Sequence, residues 1–354
     1  MLELVRHLLR PERAGLRRSI AGIYALLFLL NLAAWMWAWL IFRRQPLLLG
    51  TALLAYGFGL RHAVDADHIA AIDNVTRKLM QEGKRPATVG FFFAMGHSTV
   101  VILAAAGIAA TATALASHFQ QARVIGGLIG TSVSSVFLLV IAAMNLMIFL
   151  SVWRTFRHVR RGGTYVAEDL DLLLNQRGFA ARLFRPLFRL IRRSWHMFPL
   201  GFLFGLGFDT ATEVALLGIS ATQAAKGTSI WAIMVFPCLF AAGMSLIDTT
   251  DGVLMLGAYD WAFVKPIRKL FYNMTITLVS VIVAVLIGGI EALGLLEDQL
   301  QLSGTFWDWV NRLNGNFNGL GFAIIGIFIL TWAASVAIYR YKGYERLEVR
   351  SSGD

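Results

Sequence analysis

Apolar runs of about twenty residues recur along this chain, near 20–42, 47–72, 88–113, 125–152, 198–222, 230–258, 270–293 and 319–341. An α-helix rises about 1.5 Å per residue, so each run can cross a hydrocarbon core of about 30 Å. Inside lipid every backbone polar group must find its partner within the chain, and a continuous apolar run does this as a helix. The expectation is an all-α integral membrane protein with about eight transmembrane helices, residues 1–354 forming a single polytopic membrane domain. Composition agrees, with 57% hydrophobic and 15% charged residues, against roughly 45–50% and about 25% in soluble domains. The first run is too long for a cleavable signal and ends in Arg43-Arg44, so it reads as retained. A single cysteine, Cys238, excludes an internal disulfide framework.

Basic residues orient the spans. With the N-terminus inside and strict alternation, segments 1–18, 73–87, 153–197, 259–269 and 340–354 face the cytoplasm and hold 26 of the 32 Lys and Arg. That bias is what the positive-inside rule expects, and it places both termini in the cytoplasm. The net charge of +11 then belongs to loops facing anionic membrane lipid and does not imply a nucleic-acid partner. The 153–197 segment is a basic cytoplasmic loop. Within it Leu173, Leu174, Leu183, Phe184, Leu187, Phe188 and Ile191 lie among Arg182, Arg185, Arg189, Arg192 and Arg193, the pattern of an amphipathic helix in the inner interface.

The second run carries Arg61-His62-Ala63-Val64-Asp65-Ala66-Asp67-His68. Ionisable groups at bilayer depth are costly and usually functional. On an unbroken helix, at about 100° per residue, His62, Asp65 and His68 share an arc of roughly 120°, while Asp67 points toward a neighbouring helix unless the backbone unwinds. Mixed imidazole and carboxylate donors suit a divalent first-row metal ion. The bland alternative is a buried ion network in which Arg61 pairs with Asp65. In the third run, His97 is a further ligand candidate. The fifth run adds Asp209 and Glu213, four apart on one helix face, and the sixth adds Asp248 and Asp251, three apart. These four acids suggest a cation or proton path, or else protonated carboxyls bonded to nearby threonines. Met244 offers a soft thioether, though most methionines in membrane helices simply pack.

The chain also resembles itself. Phe58-Gly59-Leu60 matches Phe204-Gly205-Leu206, and Asp67 aligns with Glu213. Phe93-Ala94-Met95-Gly96-His97-Ser98 matches Phe240-Ala241-Ala242-Gly243-Met244-Ser245, and Met244 takes the place of His97. Spans two and three would then repeat in spans five and six with opposite orientation. Inverted repeats of this kind belong to secondary transporters with a midplane site.

The Arg-His-Ala-Val-Asp-Ala-Asp-His-Ile block resembles the HX4DH signature of the nickel/cobalt transporter (NiCoT) family, with His62, Asp67 and His68 in the named places. The blocks at 93–98, 206–213 and 243–251 resemble that family too, so the likeness covers essentially the whole chain. It implies a bacterial inner-membrane permease that takes up Ni2+ or Co2+ as transported substrate, with no cofactor; the signature stresses Asp67 where helix geometry favours Asp65, and together the two readings put His62, Asp65, Asp67, His68 and His97 at the metal. Asp209, Glu213, Met244, Asp248 and Asp251 would mark the translocation path. No G-x-x-x-x-G-K-[ST] loop occurs, so the chain carries no visible ATPase motif and secondary transport is expected. An exporter or a passive channel would use similar chemistry. A membrane metalloenzyme is disfavoured by the lack of an H-E-x-x-H pattern. The residues leave open nickel against cobalt, the driving force and the oligomeric state.

Overall fold

The computed structural model describes residues 14–110, 116–160, 191–207, 210–262 and 266–341. Asp209 and all but the last residue of the expected amphipathic stretch lie outside them. The described residues form an all-α bundle: α1 (Ala14–Phe42), α2 (Pro46–His62), α3 (Ala66–Gln81), α4 (Val89–Ala110), α5 (Ala116–Arg160), α6 (Met197–Gly205), α7 (Ala211–Ala225), α8 (Val235–Ala262), α9 (Pro266–Leu300), α10 (Thr305–Asn314) and α11 (Phe317–Tyr341).

Among the described residues five stretches are long and apolar enough to cross a membrane: Gly15–Phe42, Val89–Ala110, Ile125–Met147, Ile230–Tyr259 and Met274–Leu300. Two bent pairs raise the number to as many as seven. One is α2 with α3, bent by 52°, and the other is α10 with the Gly319–Thr331 part of α11, bent by 75°. The run expected near 198–222 is divided into α6 and α7, and neither half is long enough to cross by itself.

The bundle is built around α8. Of the most apolar part of its span, 67% is buried, against 17% for α1. Phe28, Leu29 and Leu40 of α1 point outward, as lipid-facing side chains do. Two close helix crossings set the centre. A Cβ placed on Gly59 of α2 would lie 2.1 Å from the Phe240 carbonyl oxygen of α8, and one on Gly243 of α8 would lie 2.8 Å from that of Tyr56. The second crossing uses the same residue types. A Cβ on Gly96 of α4 would meet the Phe198 carbonyl oxygen of α6 at 2.0 Å, and one on Gly201 of α6 would meet that of Phe93 at 2.1 Å. Only a hydrogen in place of a side chain lets these backbones approach so closely.

The polar helix is the buried one. Every residue of α3 from His68 to Met80 is inside the bundle, Asp73, Asn74, Thr76, Arg77 and Lys78 included. Arg77 and Lys78 therefore do not sit in an inner loop beginning at residue 73, as hydropathy suggests. Their charges are met inside the protein: Arg77 donates to Thr277 at 2.8 Å and to Asn74 at 3.0 Å, and Lys78 donates to the Ile191 carbonyl at 2.7 Å. Polar groups can be buried once they are paired, and a window average cannot register that pairing.

Candidate metal centre

The second run does not continue as one helix through the motif. Helix α2 stops at His62, Ala63 and Val64 turn, and Asp65 takes an extended backbone (φ −67°, ψ 146°) immediately before α3. The turn is held against α11, where a Cβ on Gly321 would lie 1.6 Å from the Val64 carbonyl oxygen. Because of the break, His62 and His68 come from two differently directed helices, and the unbroken helical arc does not describe them. Their rings nevertheless converge, with centroids 4.8 Å apart.

His97 of α4 completes a triangle. Its ring centroid is 4.8 Å from that of His62 and 4.9 Å from that of His68. All three imidazoles are buried, and one nitrogen from each lies within 4.8 Å of the others. The Nε2 atoms of His62 and His97 are only 2.9 Å apart. That distance is a hydrogen bond between the two rings, in which one nitrogen donates and the other accepts.

Carboxylates decide which nitrogens face the centre. Asp65 Oδ2 is 3.0 Å from His62 Nδ1. Attraction to that carboxylate holds the ring from its Nδ1 side and leaves Nε2 turned toward His97. Asp248 of α8 brings both oxygens to 3.3 Å from His68 Nδ1. His68 Nε2 is left buried with no hydrogen-bond partner among the described residues, as is Nδ1 of His97. A buried polar atom without a partner is expensive unless something else is meant to bind there.

Glu213 joins the same group from the first turn of α7, with Oε1 2.9 Å from His97 Nε2 and 3.8 Å from His62 Nε2. Thr210 donates to Glu213 Oε2 at 2.9 Å, and the hydroxyls of Thr210 and Thr212 each lie 3.3 Å from His62 Nδ1. The rings of Phe93 and Phe240 flank the cluster, 4.8 Å from His68 and 5.4 Å from His62 between centroids. Three imidazoles, three nearby carboxylates and two aromatic rings make a buried, donor-rich cluster that matches a divalent cation in charge and donor type.

The remaining candidates distribute as follows. Asp67 is half-buried in the first turn of α3, where its charge acts on both His62 and His68. Asp251 is partly buried one turn beyond Asp248, and its Oδ2 has no hydrogen-bond partner among the described residues. Met244 is wholly buried in the apolar cluster that includes Phe236 and Phe240. The pairing of Glu213 with His97 across the bundle carries no spacing signal, and neither do the contacts of Thr210 and Thr212 with His62. A further buried group, Asp73, Arg77 and Tyr259, was missed because hydropathy assigns the first two to a loop.

Comparison with known proteins agrees with this geometry. A family model described as High-affinity nickel-transport protein (NicO) matches residues 48–338. A High-affinity nickel transport protein of Cupriavidus necator is 61% identical over 335 residues, covering 95% of each chain. The Hydrogenase nickel incorporation protein HupN of Bradyrhizobium diazoefficiens is 54% identical over 347 residues, 97% of this chain and 89% of that one. A Cobalt transport protein NhlF of Rhodococcus rhodochrous is 40% identical over 340 residues, 94% of each. No solved structure matches the chain. With its bacterial relatives and apolar helices, it is a multi-pass protein of the bacterial inner membrane, a transporter and not an enzyme. A buried imidazole cluster, four motif blocks and relatives matched nearly end to end place the chain in the NiCoT/NicO family of nickel/cobalt transport proteins.

Proposed function

We propose that this protein takes up Ni2+ or Co2+ by secondary transport, and that the ion pauses at His62, His68 and His97 while it crosses. The observation that carries the reading is the convergence of three buried imidazole nitrogens within 4.8 Å. Glu213 is the oxygen donor beside them. Asp65 and Asp248 orient His62 and His68 through Nδ1, the carboxylate–histidine arrangement that fixes a ligand's tautomer. Asp67 adds negative charge at the mouth. From the centre the ion passes inward along α8, by Asp248 and Asp251, with Met244 as a soft packing neighbour on the same helix, and Asp209 is assigned to the same path. An inward-negative potential assists, by roughly 2.3 kcal/mol per charge per 100 mV and about twice that for a dication.

An architecture of eight crossings with both termini in the cytoplasm suits this reading. It counts each broken pair, α2/α3, α6/α7 and α10/α11, as one crossing. The inverted repeat is supported by matching parts: a helix broken just ahead of the aligned acids Asp67 and Glu213, and reciprocal glycine crossings in which α2 packs on α8 as α6 packs on α4. Interfacial contact by the 153–197 loop belongs to the same proposal.

The test is uptake of radiolabelled nickel and cobalt by metal-starved cells. The intact protein should give saturable accumulation, and His62→Ala should abolish it at comparable expression. Metal resistance without accumulation would instead indicate export, and undiminished uptake by His62→Ala would remove the site.

A further inference from the structure

Below the imidazole cluster, the inner half of α3 carries a second polar assembly that transport through the first must contend with. Asp73 is fully buried, and both of its carboxylate oxygens are occupied. The Tyr259 hydroxyl of α8 donates to Oδ1, and the Ser280 hydroxyl of α9 donates to Oδ2 at 2.7 Å. One turn further along α3, the equally buried Arg77 donates to Thr277 of α9 and to Asn74, and Asn145 of α5 donates to the same Asn74 oxygen. Thr76, between them in sequence, is fully buried, and its hydroxyl has no partner among the described residues.

The assembly ties together four helices where an apolar contact would have been cheaper. It also shares its frame with the metal centre. Helices α3 and α8 are clasped twice, through His68 and Asp248 at the centre and through Asp73 and Tyr259 further along both helices. An ion leaving His68 along α8 passes Asp251, with its unpartnered oxygen, and then meets a carboxylate whose two oxygens are already engaged by hydroxyls. A hydroxyl is a weak competitor for a carboxylate against a divalent cation, so this clasp can be opened by the ion itself. The guanidinium one turn beyond puts positive charge behind the clasp, which discourages an ion from resting there.

We propose that Asp73, Tyr259 and Ser280, backed by Arg77, form the inner gate of the translocation path, and that the passing metal ion opens it by displacing a hydroxyl from the Asp73 carboxylate. The proposal rests on the transport reading above, and its test separates the two. Thr76→Cys, in a Cys238→Ser background, puts a thiol inside the closed assembly. The full-length protein in lipid nanodiscs is reacted with a membrane-impermeant maleimide, with and without Ni2+, while calorimetry on the same sample reports nickel binding. Without metal the thiol should be protected. Nickel should speed its labelling, and Tyr259→Phe should speed it about fivefold with no metal added, as expected for the loss of one buried hydrogen bond. Ser280→Ala should do the same to a similar degree, and both variants should still bind nickel. If nickel binds but labelling is unchanged by nickel, Tyr259→Phe and Ser280→Ala alike, the gate is wrong. If no nickel binds to the protein at all, the transport reading fails first. Val75→Cys, one position earlier, replaces Thr76→Cys should that variant lose nickel binding.

Discussion

Asp65 and Asp248 touch the rear nitrogens of His62 and His68, so replacing either acid should weaken the metal centre without removing a ligand. Asp65→Ala is expected to lower nickel affinity by about 10- to 100-fold, the usual effect of losing a ligand's orienting carboxylate. Asp65→Asn, which keeps an acceptor oxygen but no charge, should lie between it and the parent. Calorimetric titration of purified protein checks the order. Losing an imidazole itself should be worse: His97→Ala also takes from buried Glu213 one of its two 2.9 Å partners, leaving Thr210, and it should cost stability as well as affinity. At this scale the sequence was informative where chemistry alone decides. His62, His68 and His97 stand out because ionisable groups in apolar runs are rare. Arg77 did not stand out, because charge next to a span end looks the same whether it enters a loop or a paired interior.

Helices meet in this bundle where glycine removes the side chain, and that can be tested element by element. Gly59→Ala would place a methyl 2.1 Å from the Phe240 carbonyl oxygen, and Gly90→Ala would place one 1.9 Å from that of Asp248. Overpacking a close contact costs about 1–3 kcal/mol, and backbone on both sides leaves little room to yield. Both variants should melt well below the parent in detergent. Gly22→Ala, with no neighbouring atom within 4 Å, should be neutral or stabilising by up to about 1 kcal/mol. Equal melting of Gly22→Ala and Gly59→Ala would contradict the crossings. Hydropathy locates the long apolar helices because their length and composition are additive along the chain. It does not locate the break at Ala63–Asp65, which carries no glycine or proline and is held in place by Gly321 of a distant helix. The break ahead of α7 is better marked, since Gly205 and Gly207 precede it, yet hydropathy runs across it as well.

For the whole molecule, the proposed orientation rests on the asymmetry of basic residues, and cysteine labelling from either side of the membrane tests it. Helix α5 carries the chain on through Arg160, so cysteines placed beyond it, at residues 161–190, should react only once the inner face is exposed, as should those near either terminus. Outward labelling of any of them would overturn both the orientation and the direction of the path. The central claim is that one divalent ion is held by His62, His68 and His97 within the bilayer. Nickel-edge X-ray absorption on the purified, nickel-loaded protein tests it most directly. It should show imidazole nitrogens at about 2.0–2.1 Å whose signal drops with each of His62→Ala, His68→Ala and His97→Ala. A nickel spectrum with oxygen neighbours alone, or one that is unchanged when the three histidines are replaced together, would contradict it.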